Sequence, residues 1–187
     1  MKKRSFASAV KSTALITSLA TVSLAALYRY LPEDWVLSAA ISFGTTAYHF
    51  LMRLAVGYAV LYATKNQFDH RRPWFRPKRW ETAFYRKLHV KNWKGQLPTY
   101  APNQFSMETN TLLQVIQNTC GAEVVHEIII VFSFAPLATV PLFGALPVFL
   151  ITSVLAALFD SIFVIAQRYN RPRLVRIYEK QEARSHE

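Results

Sequence analysis

Cysteine is almost missing from the chain: Cys120 stands alone in 187 residues. One thiol cannot close an intrachain disulfide or build a Cys-only zinc site. Glycine is scarce too, at five residues. Neither G-x-G-x-x-G nor G-x-x-x-x-G-K occurs, which argues against a Rossmann or P-loop nucleotide binder. No internal repeat is visible. Acidic residues number 11 against 22 basic ones, giving a net charge of +11. In a soluble chain that balance would point to nucleic acid. With 52% hydrophobic residues the chain is not intrinsically disordered.

The charges avoid long stretches. Ser12–Tyr28 carries none, Trp35–Thr64 carries only Arg53 beside His49, and Ile128–Phe159 carries none. A bilayer crossing needs roughly 20 apolar residues, and in hydrocarbon its backbone must bond within itself. These runs therefore read as membrane helices. The last run is too long for one crossing and holds Pro136, Pro141, Gly144 and Pro147, so it divides at a turn. The expected fold is an all-α polytopic membrane protein of a single domain, 1–187, with about four transmembrane helices at 12–30, 35–64, 123–140 and 147–168. A basic cytoplasmic interfacial segment, 65–122, separates the second helix from the third.

Lysine and arginine follow the same plan. Four lie in Met1–Lys11, ten in Lys65–Lys94 and six in Arg168–Glu187. Four crossings put all three groups on one side, and by the positive-inside rule that side is the cytoplasm. A soluble nucleic-acid binder is excluded because the apolar helices would have nowhere to bury. Arg53 falls about 27 Å along a helix from Trp35, where it can snorkel to the inner interface. A cleaved signal peptide is the competing reading of the first helix, but no clear A-x-A site ends it.

Residues 70–80 alternate cations with aromatics, from His70-Arg71-Arg72-Pro73-Trp74 to Lys78-Arg79-Trp80. After a membrane helix, that pattern suits anionic headgroups, with Trp at the interface. Trp80, Phe84 and Leu88 share one helix face, which can lie on the membrane or pack on the protein. Glu123 and His126 also share a face, three residues apart. A carboxylate beside a histidine can orient the ring for general-base work. The same pair can equally anchor a helix end. A single E-x-x-H is half of a di-iron pattern, Ile130 breaks H-E-x-x-H, and no metal site is expected. Cys120 and His126 do not share a face, and no G-x-S-x-G elbow exists. Asp160 is an intramembrane acid with a choice of partners, Arg168 or a neighbouring helix. Gln167-Arg168-Tyr169-Asn170-Arg171-Pro172-Arg173-Leu174 leaves the last crossing; its arginines can hold phosphates, and Pro172 is expected to limit the helix.

Three blocks carry a family resemblance: Phe84-Tyr85 with Trp93-Lys94, then Ala122-Glu123-Val124-Val125-His126, then Gln167 to Leu174. Together they resemble the glycosyl-4,4'-diaponeurosporenoate acyltransferase family of staphyloxanthin biosynthesis, over about 80–175. One departure is Gly121, where the family pattern has a basic residue. The H-x-x-x-x-D signature of glycerolipid acyltransferases is absent. His49, His70, His89 and His126 are followed five residues later by Leu54, Phe75, Lys94 and Val131.

The resemblance implies a plasma-membrane acyltransferase that moves a fatty acyl group from an activated donor, such as acyl-CoA, to a sugar hydroxyl of a glycosylated carotenoid acid. No bound cofactor is implied; the donor is a cosubstrate. In that reading His126 is the general base and Glu123 orients it. Trp93, Lys94, Arg168, Asn170, Arg171 and Arg173 bind headgroup or donor phosphate. The alternative is a non-enzymatic membrane adaptor or assembly factor that docks anionic lipid or a partner protein through 65–79.

Overall fold

The computed structural model describes residues 6–185. Among them there are helices and turns but no strand: α1 (Phe6–Tyr28), α2 (Asp34–Thr64), α3 (Glu81–Lys87), α4 (Val90–Trp93), α5 (Leu112–Phe132), α6 (Val140–Phe143) and α7 (Leu146–Ser185). Short 3-10 turns occupy Pro73–Phe75, Lys94–Gln96, Pro102–Phe105 and Ala135–Thr139. The chain forms two compact units. One comprises residues up to Gly57 with Ile128–Phe159, the other Tyr58–Glu127 with the residues from Asp160 onward.

The first unit holds apolar helical stretches rich in small hydroxyl residues. In α1, Thr17, Ser18 and Thr21 each donate to a carbonyl four residues back, at 2.7 Å. Ser42, Thr45 and Thr46 do the same in α2. Such back-bonding hides the hydroxyls, which makes a Ser/Thr-rich helix compatible with hydrocarbon. Leu15, Ile16, Leu19 and Val22 of α1 are exposed, as are Ile151, Leu155 and Leu158 of α7. Exposed apolar area on that scale calls for lipid as its solvent.

Among the described residues three helical segments are long and apolar enough to cross a membrane: Phe6–Tyr28, Leu112–Phe143 and Leu146–Ser185. The expected second crossing is not one of them. α2 has the length, at 31 residues, but Ser38, Ser42, Thr45, Thr46, His49 and Arg53 are strung along it.

The later boundaries also differ from expectation. α5 starts at Leu112, well before residue 123, because Thr111 and Gln114 cap it reciprocally. The Thr111 amide donates to Gln114 Oε1 (2.8 Å), and the Gln114 amide to Thr111 Oγ1 (3.2 Å). This is a T-x-x-Q capping box. The helix ends at Phe132, whose carbonyl accepts from the Tyr48 hydroxyl at 2.8 Å. The link to α7 is a 3-10 turn and α6, closed by Gly144 at φ +65°, a left-handed cap that favours glycine.

α7 does not stop at Pro172 but runs 40 residues to Ser185. Proline removes one backbone bond, to the carbonyl of Arg168. The side chains of Arg168 and Arg171 are both tied into ion pairs, which holds the turn around the proline helical.

In the second unit the segment after α2 folds onto α5. A Cβ at Gly121 would run into Asn66 Oδ1 and meet the Phe68 ring at 3.0 Å. Asn66 cannot simply swing away, because its amide donates to Asn118, which donates in turn to the Gln104 carbonyl. Glycine at 121 is therefore a packing requirement of this chain. Phe75, Tyr85, Val90, Ile116, Cys120, Phe163 and Ala166 are buried in the same unit.

Candidate functional site

The site lies within the second unit, on α5, α7 and the segment between Trp74 and Lys94. α5 presents Glu123 and His126 one turn apart, and α7 presents Asp160, Phe163, Arg168 and Arg171. Their side chains sort into three groups.

The first group is a histidine and an acid. His126 Nδ1 lies 2.8 Å from Asp160 Oδ1. Asp160 is 1% exposed, whereas the His126 side chain is 23% exposed, so the ring is the accessible member. Phe163 stacks on the imidazole, with centroids 4.7 Å apart and planes 8° from parallel. An aspartate accepting from Nδ1–H leaves Nε2 as the basic nitrogen. Among the described residues no protein group hydrogen-bonds Nε2. The ring is thus held by an acid on one edge and an aromatic face on another.

The second group is a buried ion cluster. Glu123 is fully buried and faces two arginines. Its Oε1 accepts from Arg168 Nη1 at 2.5 Å, and its Oε2 accepts from Arg171 Nη2. Arg168 spends its remaining donors on Glu81 Oε1 (2.9 Å from Nε, 2.6 Å from Nη2) and on the carbonyls of Trp74 (2.9 Å) and Arg76 (3.1 Å). Arg171 donates to Thr119 Oγ1 (3.0 Å), the Thr119 carbonyl (3.0 Å) and the Phe75 carbonyl (3.3 Å). Its guanidinium also lies over the Phe75 ring. The cluster ties the Trp74–Arg76 turn and α3 to α5 and α7.

This corrects the expectation that Glu123 orients His126. Residues three apart on a helix point along similar but not identical directions. Here α7 supplies a guanidinium pair to the first and a carboxylate to the second. The acid on the ring is Asp160. The geometry also leaves Arg168 and Arg171 few N–H groups to offer a phosphate, since a guanidinium has only five.

The third group gathers four other expected residues. The Lys94 ammonium donates to Asn170 Oδ1 and sits 4.9 Å above the Tyr169 ring. Trp93 Nε1 donates to the Leu88 carbonyl at 2.9 Å. Arg173 is exposed, and its charge acts on Lys94. Burial first, and Arg173 second, lower the Lys94 pKa.

Two residues escaped sequence reasoning. Glu81 is buried in the first turn of α3, and its partner Arg168 is 87 residues away. Glu127, next to His126, accepts from Trp74 Nε1 at 3.0 Å. An acid opening a helix is a weak local signal for Glu81; Glu127 has none. Among the described residues no cluster of three or more His, Cys, Asp or Glu is placed to hold a metal ion.

Apolar helices able to cross a membrane, with an accessible histidine backed by a buried acid, define a membrane protein suited to proton-transfer chemistry. Residues 71–180 match the glycosyl-4,4'-diaponeurosporenoate acyltransferase family. That is more than half of the chain, and the protein belongs to this family, whose members are acyltransferases of carotenoid biosynthesis. No curated protein and no solved structure matches the chain.

Proposed function

We propose that this protein transfers a fatty acyl group from a thioester donor such as acyl-CoA to a sugar hydroxyl of a glycosylated carotenoid acid in the plasma membrane. The observation that carries the reading is the His126–Asp160 pair at 2.8 Å in a chain of an acyltransferase family. His126 Nε2 takes the proton from the acceptor hydroxyl as its oxygen attacks the acyl carbonyl carbon. The C–S bond then breaks, and the imidazolium returns the proton to the departing thiolate. The products are the ester and the free thiol. Asp160 keeps the ring in the productive tautomer and stabilises the imidazolium, as the acid of a catalytic triad does.

Lys94 and Arg173 suit the donor's phosphates. They are neighbouring like charges, which an anion would relieve. Asn170, Tyr169 and Trp93 fix the position of Lys94 and its surroundings. Glu123, Arg168 and Arg171 hold the elements that frame the site. In the membrane, α2 is proposed as a fourth crossing, with Arg53 bonded to the His49 carbonyl at 2.8 Å, and with both termini cytoplasmic.

The test is lipid mass spectrometry in a host that accumulates the glycosylated carotenoid acid. The wild type should yield a species heavier by one fatty acyl group, and His126→Ala should not, although it inserts in the membrane equally well. Equal product from the variant would remove His126 from the mechanism.

A further inference from the structure

A groove of about 260 Å³ opens beside the ion cluster. Its walls include Trp74, Trp80, Phe84 and Tyr85; its polar lining includes Lys78, Glu81, Glu127 and Arg168. Three observations narrow what it takes.

The first is an unmet acceptor. Glu81 is 2% exposed, and its Oε1 is used by Arg168, but its Oε2 is buried with no hydrogen-bond partner among the described residues. A buried carboxylate oxygen left unpaired is costly, and the residue that carries it lines the groove.

The second is the charge balance. Among the charged residues that line it, Glu81 and Glu127 balance Arg168 and Lys78, and Arg168 is itself paired with Glu81 and Glu123. The groove therefore has no surplus positive charge to attract a phosphate. It offers carboxylate acceptors, one ammonium and the Tyr85 hydroxyl, a phenol that both donates and accepts. Vicinal hydroxyls, each donor and acceptor, match that set.

The third is shape and surface. Trp74 and Trp80 are 61% and 58% exposed. Exposed indole faces beside polar groups accept the apolar face of a sugar ring while the hydroxyls bond at its edge. The volume lies below the roughly 300–1,000 Å³ of pockets that enclose drug-sized ligands, so it suits one ring and not a long chain.

We infer that this groove, lined by Trp74, Trp80, Glu81, Tyr85 and Glu127, is a neutral monosaccharide site that seats the glycosyl headgroup of the acceptor. The inference rests on the acyl-transfer reading for the identity of the sugar's carrier, but the binding itself is testable alone. His126 does not line the groove. Glu127, its chain neighbour, does, so the groove's edge adjoins the base in sequence.

The experiment uses the full chain in lipid nanodiscs assembled without glycoside detergents, and methyl β-glucoside as the probe. Ligand-observed saturation-transfer NMR gives the dissociation constant. Wild type should bind with a measurable dissociation constant. Trp80→Ala and Glu127→Gln should each bind about five- to tenfold more weakly, the size of one net hydrogen bond or its equivalent. Inorganic phosphate should not compete. Glu81 is left in place because substituting it would also unpair Arg168. Absence of wild-type binding, unchanged binding in both groove variants, or displacement by phosphate would each overturn the site. Turnover measured on the same proteins separates the two readings. Binding that depends on the groove without any acyl product keeps the sugar site and removes acyl transfer. Normal turnover with unchanged acceptor KM in both groove variants keeps acyl transfer and removes the sugar site.

Discussion

Asp160 and Glu123 are both buried acids, yet their partners give them different work. Asp160 meets an accessible imidazole, and Glu123 meets two guanidinium groups. Conservative amides should separate the roles. Asp160→Asn keeps the shape but supplies no negative charge for the imidazolium, so kcat should fall about 10²–10⁴-fold. Melting in detergent should change little by comparison. Glu123→Gln instead strands positive charge in a buried cluster, a loss of about 3–5 kcal/mol. Its signature should be a lower melting temperature and poor yield, with near-normal kcat in the protein that does fold. A Glu123→Gln variant that is stable but inactive would return Glu123 to the chemistry. The spacing of Glu123 and His126 was readable in the sequence, and so was the oddity of an acid at 160. What paired with what was not, because His126 and Asp160 are 34 residues apart on different helices. Helical periodicity reports which residues share a face; it says nothing of which face of another helix meets them.

At the scale of elements, α3 shows how a short helix serves two environments. Glu81 and Tyr85, one turn apart, are buried, while Trp80, Phe84 and Leu88 are exposed. The apolar stripe foreseen for an interfacial helix is therefore the outward one. The protein-facing stripe is an acid and a tyrosine that no hydropathy pattern singles out. Tyr85 gives this packing a pH signature. Burial, then the Glu81 charge, raises its pKa from 10.0 to about 12. The folded chain thus holds the phenolic proton more tightly than the unfolded chain. That contribution to stability is complete below pH 10 and is lost as pH rises through about 12. The phenolate absorbance of wild type minus that of Tyr85→Phe should therefore rise only near pH 12. A difference curve centred at 10 would mean that Tyr85 is solvated and α3 is not docked as described. Other element boundaries turned on local chemistry weaker than hydropathy. The polar first turns of α5, with Gln114, Gln117, Asn118 and Thr119, hid a helix start that the Thr111–Gln114 capping box does announce. Pro172 suggested a stop, but ion pairs from residues on its own turn kept α7 going.

At the scale of the whole molecule, the open quantity is the number of crossings, and α2 decides it. Three segments qualify on apolarity alone. An odd number would place the basic N-terminal residues and the basic end of α7 on opposite sides of the membrane. The distribution of lysine and arginine argues for an even number. For α2 to cross, Arg53 must be accommodated, and its Nη1 already donates to the His49 carbonyl one turn back. The hydroxyls of Ser42, Thr45 and Thr46 in α2 are likewise returned to its own backbone. What remains exposed to lipid is then mostly apolar, as Phe43, Leu51, Tyr58 and Leu61 illustrate. Average hydropathy counts those hydroxyls and the arginine at full cost, whether or not the backbone already satisfies them. The chain itself provides the means to test this. Its one cysteine, Cys120, is buried, so background labelling should be low. Single cysteines placed at Ser8 and Ser185 should both resist a membrane-impermeant maleimide in intact cells and both react after permeabilisation. A control cysteine at Glu33, between α1 and α2, should react from outside. Labelling of either Ser8→Cys or Ser185→Cys in intact cells, with the other protected, would make the number of crossings odd and leave α2 on one side of the membrane.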